Sequence, residues 1–230
     1  MNPYSKRSVI IVAGGRGVRA GGDLPKQFQL LGGKPMLMRT IEAFHAYDHS
    51  MHIVVVLPEG FQPAWEQLCA THRFTVAHRV TTGGETRFHS VKNGLRELTE
   101  EETVGVHDAA RPFVTTELIG RCFDTAEAHQ CGVIPVVEEV NSVRQLTDEG
   151  SRMLDRKLLR VVQTPQVFPA AALKRAYETA FDLSFTDDAS VAEKDGLPIR
   201  LVDGEESNLK ITTPFDFVVA AQYDKLMPKR

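Results

Sequence analysis

Short apolar runs alternate with amphipathic stretches along this chain. The runs over 9–13, 52–57, 75–79, 104–107, 132–137 and 199–202 each carry Val or Ile and predict strands. Between them, apolar positions recur at helical spacing. Leu37, Ile41 and Phe44 share one face behind Pro35, and Phe88, Val91, Leu95 and Leu98 follow three- and four-residue steps. Stretches 116–131 and 170–181 read the same way. The last helix has a start signal, with Thr213 as N-cap, Pro214 in the first turn and Asp216 three residues after the cap.

Strands apolar on both faces, alternating with helices, imply an α/β fold: a Rossmann-like, mostly parallel sheet with helices on both faces. Ligands of such sheets bind beyond the carboxyl ends of the strands. With 230 residues and no internal repeat, the chain reads as a single domain over 1–230. Segment 138–162 breaks the rhythm. It is polar, and two extended halves flank the turn signal Thr147-Asp148-Glu149-Gly150. A β-hairpin alone is marginal in water, so this projecting β-arm is expected to pack on a second subunit.

Residues 9–28 concentrate the chemistry. A predicted strand runs into Ala13-Gly14-Gly15-Arg16-Gly17-Val18-Arg19-Ala20-Gly21-Gly22, followed by Pro25-Lys26-Gln27-Phe28. Glycines let backbone N–H groups approach a ligand closely, and Arg19 and Lys26 can neutralise a polyphosphate held there. No G-x-x-x-x-G-K-[ST] run occurs, which excludes a P-loop. Gly15-x-Gly17-x-x-Ala20 matches a dinucleotide fingerprint on paper. However, Gly21, Gly22 and Pro25 would break the helix that the fingerprint needs, and Glu59 lies too far downstream to hold a ribose.

Composition narrows the field. A net charge of -3 argues against nucleic acid as a partner. Cys69, Cys122 and Cys131 are few and widely spaced, as expected for reduced thiols in a cytoplasmic protein, and Cys131 reads as packing rather than as a nucleophile. The eight histidines show no metal-ligand spacing. No run is long and apolar enough to span a membrane, and residues 1–7 lack the apolar region of a signal peptide.

Five further motifs are candidates. Thr82-Gly83-Gly84-Glu85-Thr86-Arg87-Phe88-His89-Ser90 is a second glycine loop opening a helix, with Thr86 as its cap. Its backbone could read a base edge, and Ser90 adds a hydroxyl. His107-Asp108-Ala109-Ala110-Arg111-Pro112 ends a strand. Asp108 can hold ribose hydroxyls or face a metal, Arg111 can grip a phosphate or fix Asp108, and His107 reads as structural. Gln163-Thr164-Pro165-Gln166 offers a hydroxyl to an acceptor, and Asn208-Leu209-Lys210-Ile211-Thr212 a third cation. Thr186-Asp187-Asp188 reads first as a helix cap.

Taken together, these motifs resemble those of sugar-nucleotide pyrophosphorylases, and Pro25-Lys26-Gln27-Phe28 those of the polyol-phosphate cytidylyltransferases, from about residue 8 to about residue 223. The resemblance implies transfer of CMP from CTP to a polyol phosphate, with methylerythritol phosphate the nearer acceptor and ribitol phosphate the alternative. A nucleotide-binding module without catalysis is the reading from another class. Arg19, Lys26 and Lys210 are then catalytic. Ala13, Gly14, Gly15, Gly84, Glu85, Ser90 and Asp108 hold the nucleotide, and Asp108, Arg111, Ser142, Arg156 and Thr164 hold the acceptor. Mg²⁺ is held mainly by the CTP phosphates, with its protein ligands left open. The resemblance also implies a homodimer in which the arm reaches the neighbour's site. The chain departs from the family pattern at Val12-Ala13-Gly14-Gly15 (often Pro-Ala-Ala-Gly), Glu85 (Asp) and Asn141-Ser142 (Asp-Thr).

Overall fold

The computed structural model describes residues 6–13 and 25–227. In chain order the elements are β1 (Arg7–Val12), β2 (Leu30–Leu31), β3 (Lys34–Pro35), α1 (Met36–Tyr47), β4 (His52–Leu57), α2 (Gln62–Thr71), β5 (Arg79–Thr82), α3 (Arg87–Leu95), β6 (Thr103–Asp108), α4 (Thr116–His129), β7 (Gly132–Glu138), β8 (Val143–Thr147), β9 (Gly150–Leu154), β10 (Arg160–Val162), β11 (Gln166–Pro169), α5 (Ala170–Ala176), α6 (Asp188–Lys194), β12 (Ile199–Asp203) and α7 (Pro214–Leu226).

Val9, Ile10 and Ile11 are fully buried, which requires strand neighbours on both sides of β1 and helices on both faces. β1 pairs in parallel with β4 and β6, and β4 with β5. The sheet order is β10-β7-β11-β6-β1-β4-β5, with β12 parallel to β7 on its other side. Successive residues of β1 feed opposite cores, as the period of two demands. Val9 and Ile11 pack with Leu37, Ile41, Phe44 and Phe123, while Ile10 packs with Phe88, Val91, Leu95 and Leu173.

The antiparallel exception shapes the site. β10 and β11 both run against β7. From Val162↔Val136 to Val167↔Val133 the outer chain advances by 167−162 = 5 residues and β7 by 136−133 = 3. The two extra residues make a bulge containing Thr164, and bulges re-aim side chains. Here the Thr164 hydroxyl meets the end of β6, accepting from the Asp108 N–H at 3.1 Å.

The strands expected at 52–57, 104–107, 132–137 and 199–202 form with small boundary shifts. The one expected at 75–79 instead lies at Arg79–Thr82. Phe74 and His78 pack on Trp65 of α2, and only the following residues reach the edge of β4. Helix α2 and the short pair β2–β3 had no sequence expectation. The helix expected over 170–181 stops at Ala176, and Leu98 lies beyond α3. Thr86, Asp187 and Thr213 cap α3, α6 and α7, the last two with full capping boxes. Cys69, Cys122 and Cys131 are free, and Cys131 is buried among apolar side chains. Among the described residues no helix is long and apolar enough to cross a membrane.

Candidate active site

Parallel strands end together, so the segments that follow β1, β4, β5 and β6 converge on one side of the sheet. A cavity of about 850 Å³ opens there, lined among others by Ala13, Lys26, Gly84, Glu85, Ser90, Asp108 and Lys210. Gly14, Gly15 and Arg19 lie outside the described residues. A smaller adjoining cavity of about 230 Å³ shares Arg87, Asp108 and Lys210 and adds Arg111 and Thr164. Ser142 and Arg156 line neither cavity. They sit on the exposed arm, where Arg156 donates to the Val140 carbonyl.

The second glycine loop is held from inside. The Gly84 N–H donates to Ser90 Oγ at 3.1 Å, and Ser90 Oγ donates to the Thr86 carbonyl at 3.0 Å. A Cβ at Gly84 would stand 2.4 Å from that of His89, and one at Gly83 2.8 Å from Ser90 Oγ. These glycines therefore serve close approach of chain to chain, and the Gly84 N–H is already used.

Asp108 organises the charge. Lys210 Nζ lies 2.7 Å from it, Arg87 Nε 3.4 Å and Arg111 Nε 3.9 Å. Burial disfavours its charge, but Arg87 and Lys210 outweigh burial and hold the carboxyl far below the ordinary carboxylate range. Arg87 also grips the fully buried Asp188 through both terminal nitrogens, at 3.0 and 2.6 Å. Tyr177 donates to the same carboxylate at 2.7 Å. Lys26 Nζ donates to the Ile211 carbonyl at 2.9 Å, one residue from Lys210. The Ile211 N–H donates to the Ala110 carbonyl at 2.8 Å, which ties the last segment to the end of β6.

Arg111 is spent largely on backbone. Its Nη1 donates to the Asn208 carbonyl at 2.7 Å and its Nη2 to that of Val162 at 3.4 Å. Sequence reasoning gave no role to the Arg87–Asp188–Tyr177 cluster or to Gln166, whose amide oxygen accepts from the Asp188 and Ala189 N–H groups. The signals present were Arg87 inside the second glycine motif and the paired aspartates at 187 and 188.

Cations gathered around one carboxylate, beside a glycine loop at the strand ends of a mostly parallel sheet, suit the phosphates of a nucleotide. The profile of the IspD family, described as 2-C-methyl-D-erythritol 4-phosphate cytidylyltransferase, matches residues 8–225. The protein of that name from Bacteroides thetaiotaomicron is 55% identical over 216 residues, 94% of this chain and 98% of the relative. The crystal structure of the Thermus thermophilus enzyme of that name superposes with a TM-score of 0.77 at 31% identity, covering 96% of this chain and 100% of that one. That of a 4-diphosphocytidyl-2C-methyl-D-erythritol synthase from Anaerococcus prevotii gives a TM-score of 0.82 at 26% identity, with 96% of each chain covered. The chain belongs to the IspD family.

Proposed function

We propose that this chain transfers CMP from CTP to 2-C-methyl-D-erythritol 4-phosphate, giving CDP-methylerythritol and pyrophosphate in isoprenoid precursor biosynthesis. The observation that carries the reading is the meeting of Lys26 and Lys210 in one cavity with Asp108, next to the second glycine loop. An acceptor phosphate oxygen attacks the α-phosphorus of CTP in line, and negative charge grows on the non-bridging and leaving oxygens. Lys26 and Lys210 serve as countercharges to it, and Arg19 from the first glycine loop is assigned the same role. A phosphate monoester is already ionised near neutral pH, so no general base is required. Ala13, Gly14, Gly15, Gly84, Glu85 and Ser90 form the nucleotide side, and Thr164 and Arg111 the acceptor side, with Asp108 between them.

The donor set suits a Mg²⁺ ion carried by the nucleotide. Among the described residues no three of His, Cys, Asp and Glu gather into a cage, and Asp108 is already paired with Lys210, so the phosphates would supply most of the ion's ligands. Bound there, the ion offsets charge on the phosphates. A homodimer in which the arm brings Ser142 and Arg156 to the neighbouring site, and a cytoplasmic location in keeping with three free cysteines, belong to the same reading.

A pyrophosphate-release assay tests the reaction. CTP with methylerythritol phosphate should release pyrophosphate, and ribitol phosphate and glycerol phosphate should do so far more slowly. Equal rates with all three acceptors, or no release with any, would refute the assignment.

A further inference from the structure

Three segments close a ring of hydrogen bonds beneath the acceptor side of the site. His107 Nε2 lies 3.1 Å from the Arg111 carbonyl. Arg111 Nη1 donates to the Asn208 carbonyl at 2.7 Å, and Asn208 Nδ2 donates to the Thr164 carbonyl at 2.8 Å. Thr164 Oγ1 returns to His107 Nδ1 at 3.0 Å. The Asp108 N–H donates to the same hydroxyl oxygen.

The ring fixes where its protons lie. A carbonyl oxygen only accepts, so His107 carries its hydrogen on Nε2. The imidazole is fully buried and meets the Phe44 ring edge-on, with centroids 5.0 Å apart. Its two nitrogens meet a carbonyl and a hydroxyl, and among the described residues no carboxylate pairs with it. A fully buried imidazole without a counter-charge is neutral, so Nδ1 presents a lone pair. The Thr164 hydrogen must point at that lone pair. A hydroxyl has one donor and two lone pairs. His107 holds the donor and the Asp108 N–H takes one lone pair. Only one lone pair remains for the cavity that Thr164 lines.

We propose that His107 is a positioning residue that sets the polarity of Thr164, so that Thr164 accepts from a hydroxyl of the polyol and does not bind its phosphate. This deepens the cytidylyl-transfer reading and rests on it. An outward lone pair repels an anionic phosphate oxygen and pairs with a polyol O–H. Without His107 Nδ1, the Thr164 hydrogen is free to turn outward, and a hydroxyl donor loses its advantage.

The test measures kcat/KM at saturating CTP for methylerythritol phosphate and for analogues that each lack one hydroxyl. In the wild type one analogue should lose about tenfold, the scale of one hydrogen bond to a buried group. His107→Gln can still donate toward the Arg111 carbonyl but removes the Nδ1 acceptor, so the ratio between the two acceptors should fall towards one. His107→Asn places an amide oxygen near the Nδ1 position and should keep most of the preference. The KM for CTP should hold in both. An unchanged ratio in His107→Gln, with both acceptors slowed alike, would mean that His107 serves packing only and would overturn the proposal. If thermal unfolding shows that the His107 variants do not fold, Thr164→Val and Thr164→Ser decide. Val should erase the preference and Ser keep it, and a preference that survives in Thr164→Val overturns the proposal. A wild type indifferent to every missing hydroxyl overturns the Thr164 assignment alone. A wild type inactive with every polyol phosphate overturns the reaction and this inference with it.

Discussion

At Asp108 three cations share one carboxylate. In the proposed reaction, arriving phosphates would compete with Asp108 for Lys210, while Arg87 is also held by Asp188 at 3.0 and 2.6 Å. Lys26 lines the same cavity and is tied to the carbonyl of Ile211, the residue after Lys210. A lysine that follows charge as it grows should matter more in the transition state than in binding. Lys26→Ala is therefore expected to lower kcat and kcat/KM together by about 10²- to 10³-fold, the scale of losing one preorganised donor. Its KM for CTP should change little. Steady-state kinetics with varied CTP checks this, and an intact kcat with only a raised KM would remove Lys26 from the proposed role. Lys26 and Asp108 stood out in the sequence because their motifs suggest a chemistry, and Lys210 only through its place in the family pattern; the structure brings all three to one cavity. The Arg87–Asp188 pair did not stand out, because its partners lie 101 residues apart and nothing local marks them as facing each other. The polarity of Thr164 was hidden for the same reason. It depends on a bulge in β10–β11 that no sequence period shows.

The segment carrying Lys210 is set by the element that follows it. Thr213 accepts from the Asp216 N–H at 3.2 Å, and Asp216 Oδ2 accepts from the N–H groups of Thr212 and Thr213, each at 2.8 Å. Helix α7 is in turn pinned to α1 by an Arg39–Asp224 ion pair. Burial disfavours the charge of Asp216, but the Thr212 and Thr213 donors together prevail and bring it down to about 2. Asp216→Ala should destabilise the protein by about 1 kcal/mol, the usual scale of a lost cap, because the side chain is too exposed for its shifted ionisation to count in full. A folded-state value below the unfolded one, about 3.9, stabilises above that pH and is lost as pH falls towards about 2. The gap between wild type and variant in thermal unfolding should therefore be full at pH 7 and shrink below about pH 4. A gap constant from pH 7 to pH 2.5 would sink the assignment. Such caps were readable in advance at Thr86, Asp187 and Thr213, because cap chemistry is local. The strand misplaced at 75–79 shows the limit. Its Val and Thr suit a strand, yet Phe74 and His78 find Trp65 across the gap, and tertiary packing overrides propensity.

At the scale of the whole molecule, the arm is a part that the single chain leaves without cover. Among the described residues β8 and β9 pair only with each other. Leu146 is 84% exposed and Met153 73% exposed, which a two-stranded ribbon does not sustain without a surface to cover it. Ser142 and Arg156 flank this ribbon in the chain and do not line the cavity that holds Lys26. A two-fold partner would cover the apolar side chains and carry Arg156 to the acceptor phosphate of the other site, where its planar fork can bind two oxygens. Sedimentation at micromolar concentration should accordingly show a dimer. Arg156→Ala should raise the KM for the polyol phosphate and leave CTP affinity nearly intact. The decisive measurement mixes Arg156→Ala with Lys26→Ala chains and lets subunits exchange, at acceptor concentrations well below the raised KM. If the arm serves the neighbouring site, each mixed dimer has one site with both lesions and one with neither. A statistical mixture should then recover about a quarter of wild-type activity, since half the dimers are mixed and each has one intact site. If Arg156 serves its own chain, every site keeps one lesion and mixing restores nothing. Activity that stays at the level of the separate variants, with exchange shown by a tagged subunit, would leave the arm a structural clasp and return the acceptor phosphate to residues of one chain.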